Sequence, residues 1–357
     1  MMKVYQLLPT MALGDAIGND TQAIRDFIKE QGYETGIFAE GIDSRLPAGT
    51  AESVNNMPEL KDEDVLIYHA STGTPLNDRL ASFGGKKVII YHNITPPQFF
   101  REYSPIAVRL TMEGYKGIQH LAEVAEYCIA DSEYNREDLL KMGYQCPIDV
   151  CPIMIPFDDY DQKPDQSTIE RYSSDGWTNL LFVGRIAPNK CQQDIIRAFY
   201  AYQKVYNPKS RLFLVGNSGG MEVYEKRLKE YALMLGIEDK VIFTEHIKFN
   251  QILAYYHLAD AFVCMSEHEG FCVPIVEAMY FKKPIVAYSS TAVPETMGKG
   301  GLLLDSKDPV LVAGAIHQVV TNDKLKKYIQ TQQEEELKRF RYEGVKEKFL
   351  KCLHKVL

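Results

Sequence analysis

This sequence has no apolar run near the roughly 20 residues needed to cross a bilayer, so the 357-residue chain is expected to touch a membrane only peripherally. It has no C-x-x-C pair. Its seven cysteines, Cys128, Cys146, Cys151, Cys191, Cys264, Cys272 and Cys352, are odd in number and scattered, which excludes a disulfide framework and points to reduced thiols. Positive charge is not in excess: 40 Lys and Arg against 48 Asp and Glu leave a net charge of -8, without the basic footprint of a general nucleic-acid binder. The apolar stretch Val4 to Leu8 is too brief for a signal-peptide core, so a cytoplasmic location is expected. The loop Gly14-Asp15-Ala16-Ile17-Gly18 lacks the G-x-G-x-x-G spacing of a nucleotide-linked dehydrogenase. No histidine follows His268-Glu269 at helical spacing, so no metal set is expected, and Asp62-Glu63-Asp64 reads as a solvated turn on the wrong side of its strand.

What remains is the composition of an ordinary globular protein, 45% hydrophobic and 25% charged. Short β-branched or aromatic runs alternate with longer amphipathic stretches, the pattern of βα units feeding a parallel sheet. The first half offers strands at Lys3–Leu8, Thr35–Ala39, Val65–His69, Lys87–Tyr91, Tyr127–Ala130 and Asp149–Ile153, with helices such as Thr21–Gln31 and Arg136–Met142. The second offers Asn179–Val183, Arg211–Val215, Lys240–Thr244, Asp260–Met265, Pro284–Tyr288 and Gly301–Leu304. About twelve strands exceed what one doubly wound domain carries, so two domains with a cleft between them are expected. The polar stretch Pro156–Trp177 reads as the linker. The basic, amphipathic end from Glu334 to Leu357 reads as a helix docked over apolar surface, a pattern that would also serve a membrane surface.

Two segments carry chemistry. Ser266 to Met279 follows a buried strand, and Pro274 fits the first turn of a helix. Amides from Gly270 to Val273 would then sit at the helix mouth, where the dipole supplies about half a positive charge for an anion. Glu269 and Glu277 flank that loop, placed to accept hydroxyl protons from a sugar or a ribose. Upstream, Gly184-Arg185-Ile186-Ala187-Pro188-Asn189-Lys190 is again strand, glycine, then helix. Lys190 at a helix start opposes the macrodipole unless an anion binds there, and with Arg185 it reads as a diphosphate clamp. In the first half, His92 stands at the carboxyl end of a buried strand, where open α/β sheets bind ligands. Ser132 reads as a helix N-cap.

Glu269-Gly270-Phe271 through Glu277-Ala278-Met279, with Gly184-Arg185 and Lys190 upstream, resembles the signature of family 4 retaining glycosyltransferases with the GT-B fold, the bacterial group 1 type. The likeness extends to Leu258-Ala259-Asp260, Val293-Pro294-Glu295 and the loop Leu13-Gly14-Asp15. It implies two Rossmann-like domains facing a central cleft: residues 1–157 for the acceptor, 158–338 for a nucleotide-sugar donor, and 339–357 as a helix crossing back to the first domain. It implies that Glu269 contacts the transferred sugar, Glu277 the ribose, Arg185 and Lys190 the diphosphate, and amides around Phe271, Cys272 and Val273 the sugar or phosphate. By the same likeness His92 lies near the donor sugar, and Gly14 and Asp15 close a loop beneath the donor phosphates or the acceptor. Cys272 stands where the family usually has glycine, which would narrow the space near the sugar.

A base pocket is expected around Asn217 and His246 to Lys248, including Ile247, with GDP-mannose and UDP-glucose both open. The donor is a co-substrate, and neither metal nor other cofactor is expected. No second carboxylate stands in place as a nucleophile, so the likeness favours front-face retaining transfer to a saccharide or lipid-linked hydroxyl in surface-polysaccharide assembly. A nucleotide-sugar epimerase of similar fold, or a non-catalytic nucleotide-sugar-binding subunit, stays open as an alternative.

Overall fold

The computed structural model describes residues 2–357 and divides into two compact units. The first comprises Met1–Gln98, Ile106–Pro156 and Phe340–Leu357; the second comprises Phe99–Pro105 and Phe157–Arg339.

The first unit holds seven strands: β1 (Lys3–Met11), β2 (Glu34–Ile42), β3 (Glu52–Ser53), β4 (Val65–Ala70), β5 (Lys86–Tyr91), β6 (Tyr127–Ala130) and β7 (Ile148–Val150). They form one parallel sheet in the order β3-β2-β1-β4-β5-β6-β7. Every residue of β4 is buried, which is why Val-Leu-Ile-Tyr-His-Ala reads as a continuous run and not as an alternation. Alternate residues then feed opposite faces of the sheet. Tyr5, Leu7, Leu66, Tyr68, Ile89 and Tyr91 join one core cluster; Val4, Val65, Ile67, Val88, Ile90 and Ile129 join the other. The two-residue edge strand β3 is too short and polar to leave a sequence signal.

The C-terminal stretch is not one helix. A helix over Asp323–Glu336 passes through a 3-10 turn, Leu337–Phe340, and restarts at Tyr342–Leu353 after an extended Arg341, where the chain passes from the second unit to the first. Val345, Phe349, Cys352 and Leu353 enter the second core cluster of the first unit. Burying Phe349 alone is worth about 1.5–3 kcal/mol. Lys346 pairs with Glu30 at 3.1 Å and Lys355 with Asp149. The apolar side of this helix is therefore covered by its own chain, and among the described residues no helix is long and apolar enough to cross a membrane.

The second unit holds β8 (Thr178–Val183), β9 (Ser210–Val215), β10 (Val241–Phe243), β11 (Ala261–Cys264), β12 (Ile285–Tyr288) and β13 (Gly301–Leu304), parallel in the order β10-β9-β8-β11-β12-β13. The polar stretch after Pro156 is not a bare linker. It forms a 3-10 turn, Phe157–Asp161, and a helix, Gln166–Ser173, because Tyr160 and Tyr172 among the polar residues bury their rings. Asp62-Glu63-Asp64 is likewise only partly solvated. Asp64 is buried and accepts backbone N–H groups from Lys3 at 2.8 Å and Lys61 at 2.9 Å, tying the turn to β1.

Candidate active site

In each sheet the chain reverses its direction of growth once, between β1 and β4 in the first unit and between β8 and β11 in the second. Open α/β sheets bind ligands at the carboxyl edge of such a switch point. The loop Gly184–Cys191 leaves β8 and the loop Met265–Cys272 leaves β11, so both motif loops emerge there.

The two loops are stitched together. Asn189 donates its side-chain amide to the His268 carbonyl at 3.0 Å, and the Glu267 N–H returns a bond to the Asn189 carbonyl at 2.8 Å. The Glu269 backbone N–H donates to Thr291 Oγ1 at 2.9 Å, and its carboxylate accepts from Lys190 Nζ at 2.5 Å. Burial would lower the Lys190 ammonium, but the charge and hydrogen bond of Glu269, together with the neighbouring Cys272 and Cys264, outweigh it and raise the group. The pair is 22% and 8% exposed, so it is shielded yet reachable. His268, buried beside it, is pushed by burial down to about 4 and stays neutral.

Lys190 ends a 3-10 turn, Pro188–Lys190, and Cys191 takes a left-handed backbone before the helix Gln192–Val205 begins. Arg185 is exposed, and its guanidinium donates to the Gly219 carbonyl at 2.7 Å. The helix Val273–Tyr280 starts with Pro274 in its first turn, so its first amides face out from the N-terminal end. Cys272 caps it at φ 76° and ψ 64°, the left-handed region. That conformation is the physical reason a glycine suits this position. The Cys272 side chain is buried, and its sulfur lies within 4.8 Å of ligand atoms on Cys264 and Glu269.

Glu277 accepts from Tyr256 at 2.6 Å and from Tyr160 at 3.0 Å. Burial raises its carboxyl, and the two phenols pull it back. Neither tyrosine was marked by the motif. The available signal was an aromatic residue inside the acidic run Asp158-Asp159-Tyr160-Asp161. Asn217 follows β9, and His246 and Ile247 follow β10; a bridge between Gly216 and Glu245 ties these strand ends together.

Gly216 packs against the motif loop. A Cβ there would lie 2.0 Å from the Gly184 carbonyl oxygen, on a backbone of φ +146° that side chains rarely adopt. Gly216→Ala is therefore expected to cost roughly 2–4 kcal/mol through overpacking and strain, read as a lower urea midpoint, and to displace the loop that carries Arg185 and Lys190. An unchanged midpoint would contradict the close approach.

In the first unit, Asp15 is the N-cap of the helix Ala16–Glu30 and accepts the Gly18 N–H at 3.4 Å, with Gly14 before it at φ 72°. That helix begins before Thr21 because the Asp15 cap starts it there, although Gly18, Asn19 and Asp20 are weak helix formers. His92 does not extend a free imidazole: its side chain is 2% exposed and both ring nitrogens are engaged, by Asp131 at 2.8 Å and by His69 at 2.8 Å. Ser132 caps the helix Glu133–Lys141 through the Asn135 N–H.

Residues 172–336 match the family described as glycosyl transferases group 1. This match makes the segment similar to group 1 glycosyltransferases. The chain is 32% identical over 149 residues to a D-inositol 3-phosphate glycosyltransferase of Acidothermus cellulolyticus, covering 40% of this chain and 33% of that protein. It is 24% identical over 272 residues to O-antigen chain mannosyltransferase B of Escherichia coli, covering 74% and 68%. The matches to the first D-inositol 3-phosphate glycosyltransferases span from a third to about half of their length. Anabaena HepE, solved in complex with UDP-glucose, superposes with a TM-score of 0.77 at 19% identity over 99% of this chain and all of that one. This likeness shows the fold, GT-B, and the residues that match the group 1 model lie within the second unit.

Proposed function

We propose that this chain transfers a hexosyl unit, with retention, from a nucleotide-diphosphate sugar to a hydroxyl of a saccharide or lipid-linked acceptor. The observation that carries the reading is the Lys190–Glu269 pair at the switch point of the second unit, between a helix mouth and the Arg185 loop. The relatives that name mannosyl and glycosyl transfer, and a neighbour that binds UDP-glucose, support the reading.

In this proposal the diphosphate takes Lys190 and the helix amides, and the displaced Glu269 carboxylate accepts hydroxyls of the sugar being transferred. Arg185 and Lys190 carry the charge that grows on the leaving nucleotide, a role that in other enzymes falls to a metal ion. Glu277, held by two phenols, is oriented for a ribose diol. The leaving phosphate assists removal of the acceptor proton, and the protein's share is positioning and electrostatics. GDP-mannose and UDP-glucose are the donors to test first, and assembly of surface glycoconjugates is the setting we propose.

A thermal-shift screen against UDP, GDP, ADP and their sugar conjugates tests the donor site. A ligand at ~100 times its Kd adds about 2.7 kcal/mol, so one base is expected to raise Tm by several degrees and to lose that effect in Lys190→Ala. No shift from any nucleoside diphosphate would overturn the reading in favour of a subunit that binds no donor. Release of free nucleotide only when acceptor is present separates transfer from epimerisation.

A further inference from the structure

The first unit contains a buried chain of polar side chains whose proton positions follow from its two ends. Gln6 on β1 donates its amide nitrogen to the Thr21 carbonyl at 2.9 Å, which leaves its oxygen facing His69 Nε2 at 2.9 Å. An amide oxygen only accepts, so His69 Nε2 carries the proton. Thr21 Oγ1 agrees: it spends its own proton on the Ile17 carbonyl at 2.7 Å and can only accept from His69, at 3.5 Å. His69, fully buried and neutral, then presents a bare Nδ1 to His92 Nε2 at 2.8 Å, so His92 must donate there. At the other end of the His92 ring, Nδ1 faces the buried Asp131 carboxylate at 2.8 Å and donates to it as well.

We propose that His92 is a locked imidazolium, with a proton on each nitrogen, and that His69 is the positioning residue that locks it by offering a bare nitrogen in a direction set by Gln6. His92 then serves as a fixed positive charge at the carboxyl end of β5, beside the β1–β4 switch point, and takes no part in proton transfer. Its assignment to an anionic donor rests on the reading under Proposed function; its protonation state does not. The groups that face it are consistent with the charge. Burial alone would lower the imidazole and favour the neutral ring, but Asp131, then Asp20 and Asp15, together raise it. His69 is held well below its ordinary range by burial and by the charge of His92. With Asp131 ionised, a neutral His92 would leave one of its two short contacts without a proton, stranding a buried acceptor at a cost of about 1–3 kcal/mol.

The test is histidine ring 15N NMR on the intact chain. In the wild type, both nitrogens of His92 are expected to remain protonated past the ordinary value near 6.5, while His69 shows the neutral Nε2–H tautomer. His69→Leu, which removes the acceptor, is expected to bring the His92 midpoint down and to cut kcat by up to the roughly hundredfold at the lower end of what a lost charge stabiliser costs, with KM for the nucleotide sugar changing less. His69→Gln, whose amide can accept from His92 and donate to Gln6, is expected to restore both. A His92 that titrates near 6.5 in the wild type, or a His69 in the other tautomer, would overturn the proposal even if His69→Leu fails to fold. An imidazolium that survives in folded His69→Leu would overturn the role of His69. None of these outcomes bears on nucleotide binding in the second unit, which the thermal-shift screen reads separately.

Discussion

Glu269→Ala is expected to lower the rate of sugar transfer by on the order of a thousandfold, a loss of about 4 kcal/mol of transition-state stabilisation. Glu269 is buried to 7% exposure at the end of the loop after β11, its N–H fixed by Thr291 and its carboxylate fixed by Lys190. A carboxylate held this firmly costs little to orient when the diphosphate draws Lys190 away, so its acceptor strength is spent on the sugar. Two readouts keep the prediction from being a stability effect in disguise. Removing the carboxylate strands a shielded ammonium, at about 1–3 kcal/mol of folding stability, which urea denaturation measures. Glu269→Gln keeps a neutral acceptor for Lys190 and should recover most of that stability, yet remain slow, because the amide lacks the charge that a developing electron-poor sugar needs. The nucleoside diphosphate alone should still raise Tm in both variants, since it is held by Lys190 and the helix mouth. A variant with near-normal turnover would remove Glu269 from the reaction, and loss of nucleotide binding together with turnover would place it in the clamp.

Apart from the short edge strand β3, the strands of both sheets were legible as apolar runs, since most parallel strands are buried on both faces; Tyr127–Ala130, buried throughout, falls where its composition puts it. The motif loops were legible for the opposite reason, since glycine, proline and charge at the end of a buried run have few structural uses. What was not legible depends on contacts distant in sequence. Tyr160 gave no hint of its bond to Glu277, which lies 117 residues away. His69 sat in plain view at the end of β4 as the mate of His92 at the end of β5, and two histidines on neighbouring strand ends are a signal that could have been used. The glycine-to-cysteine departure at Cys272 was visible, but its meaning was not. Only the backbone angle shows that the position asks for a left-handed residue, which most side chains reach at a cost of about 1–2 kcal/mol.

The charge chain around His92 also makes the fold itself sensitive to pH, and the sign follows from Asp20. This carboxyl is buried to 3% exposure on the helix Ala16–Glu30, with one oxygen accepting the Met154 N–H at 2.8 Å. Burial, helped by the charge of Asp131, pushes it up to about 7, although His92 and the Met154 N–H pull the other way. The folded state thus holds the proton to higher pH than the unfolded chain does, where the ordinary value is 3.8. Its contribution to stability is complete below that ordinary value and is lost as pH rises toward 7, to a total of about 4 kcal/mol at roughly 1.4 kcal/mol per pKa unit. The raised value of His92 acts in the same direction, whereas the lowered values of His69 and His268 act in the opposite one, so the carboxyl is read against a variant and not from the wild type alone. Asp20→Asn isolates the carboxyl, because the amide oxygen still accepts from Met154 and cannot ionise. Unfolding free energies measured in urea at both pH values should show the variant gaining on the wild type by roughly 2–3 kcal/mol over that interval. A small cavity of about 10 Å³ beside Asp20 and Asp131 has room for about one water, too little to screen the second carboxylate once it ionises. If the gap between variant and wild type does not change with pH, Asp20 is already ionised at pH 5. The cluster must then supply more positive charge than a single His92 imidazolium.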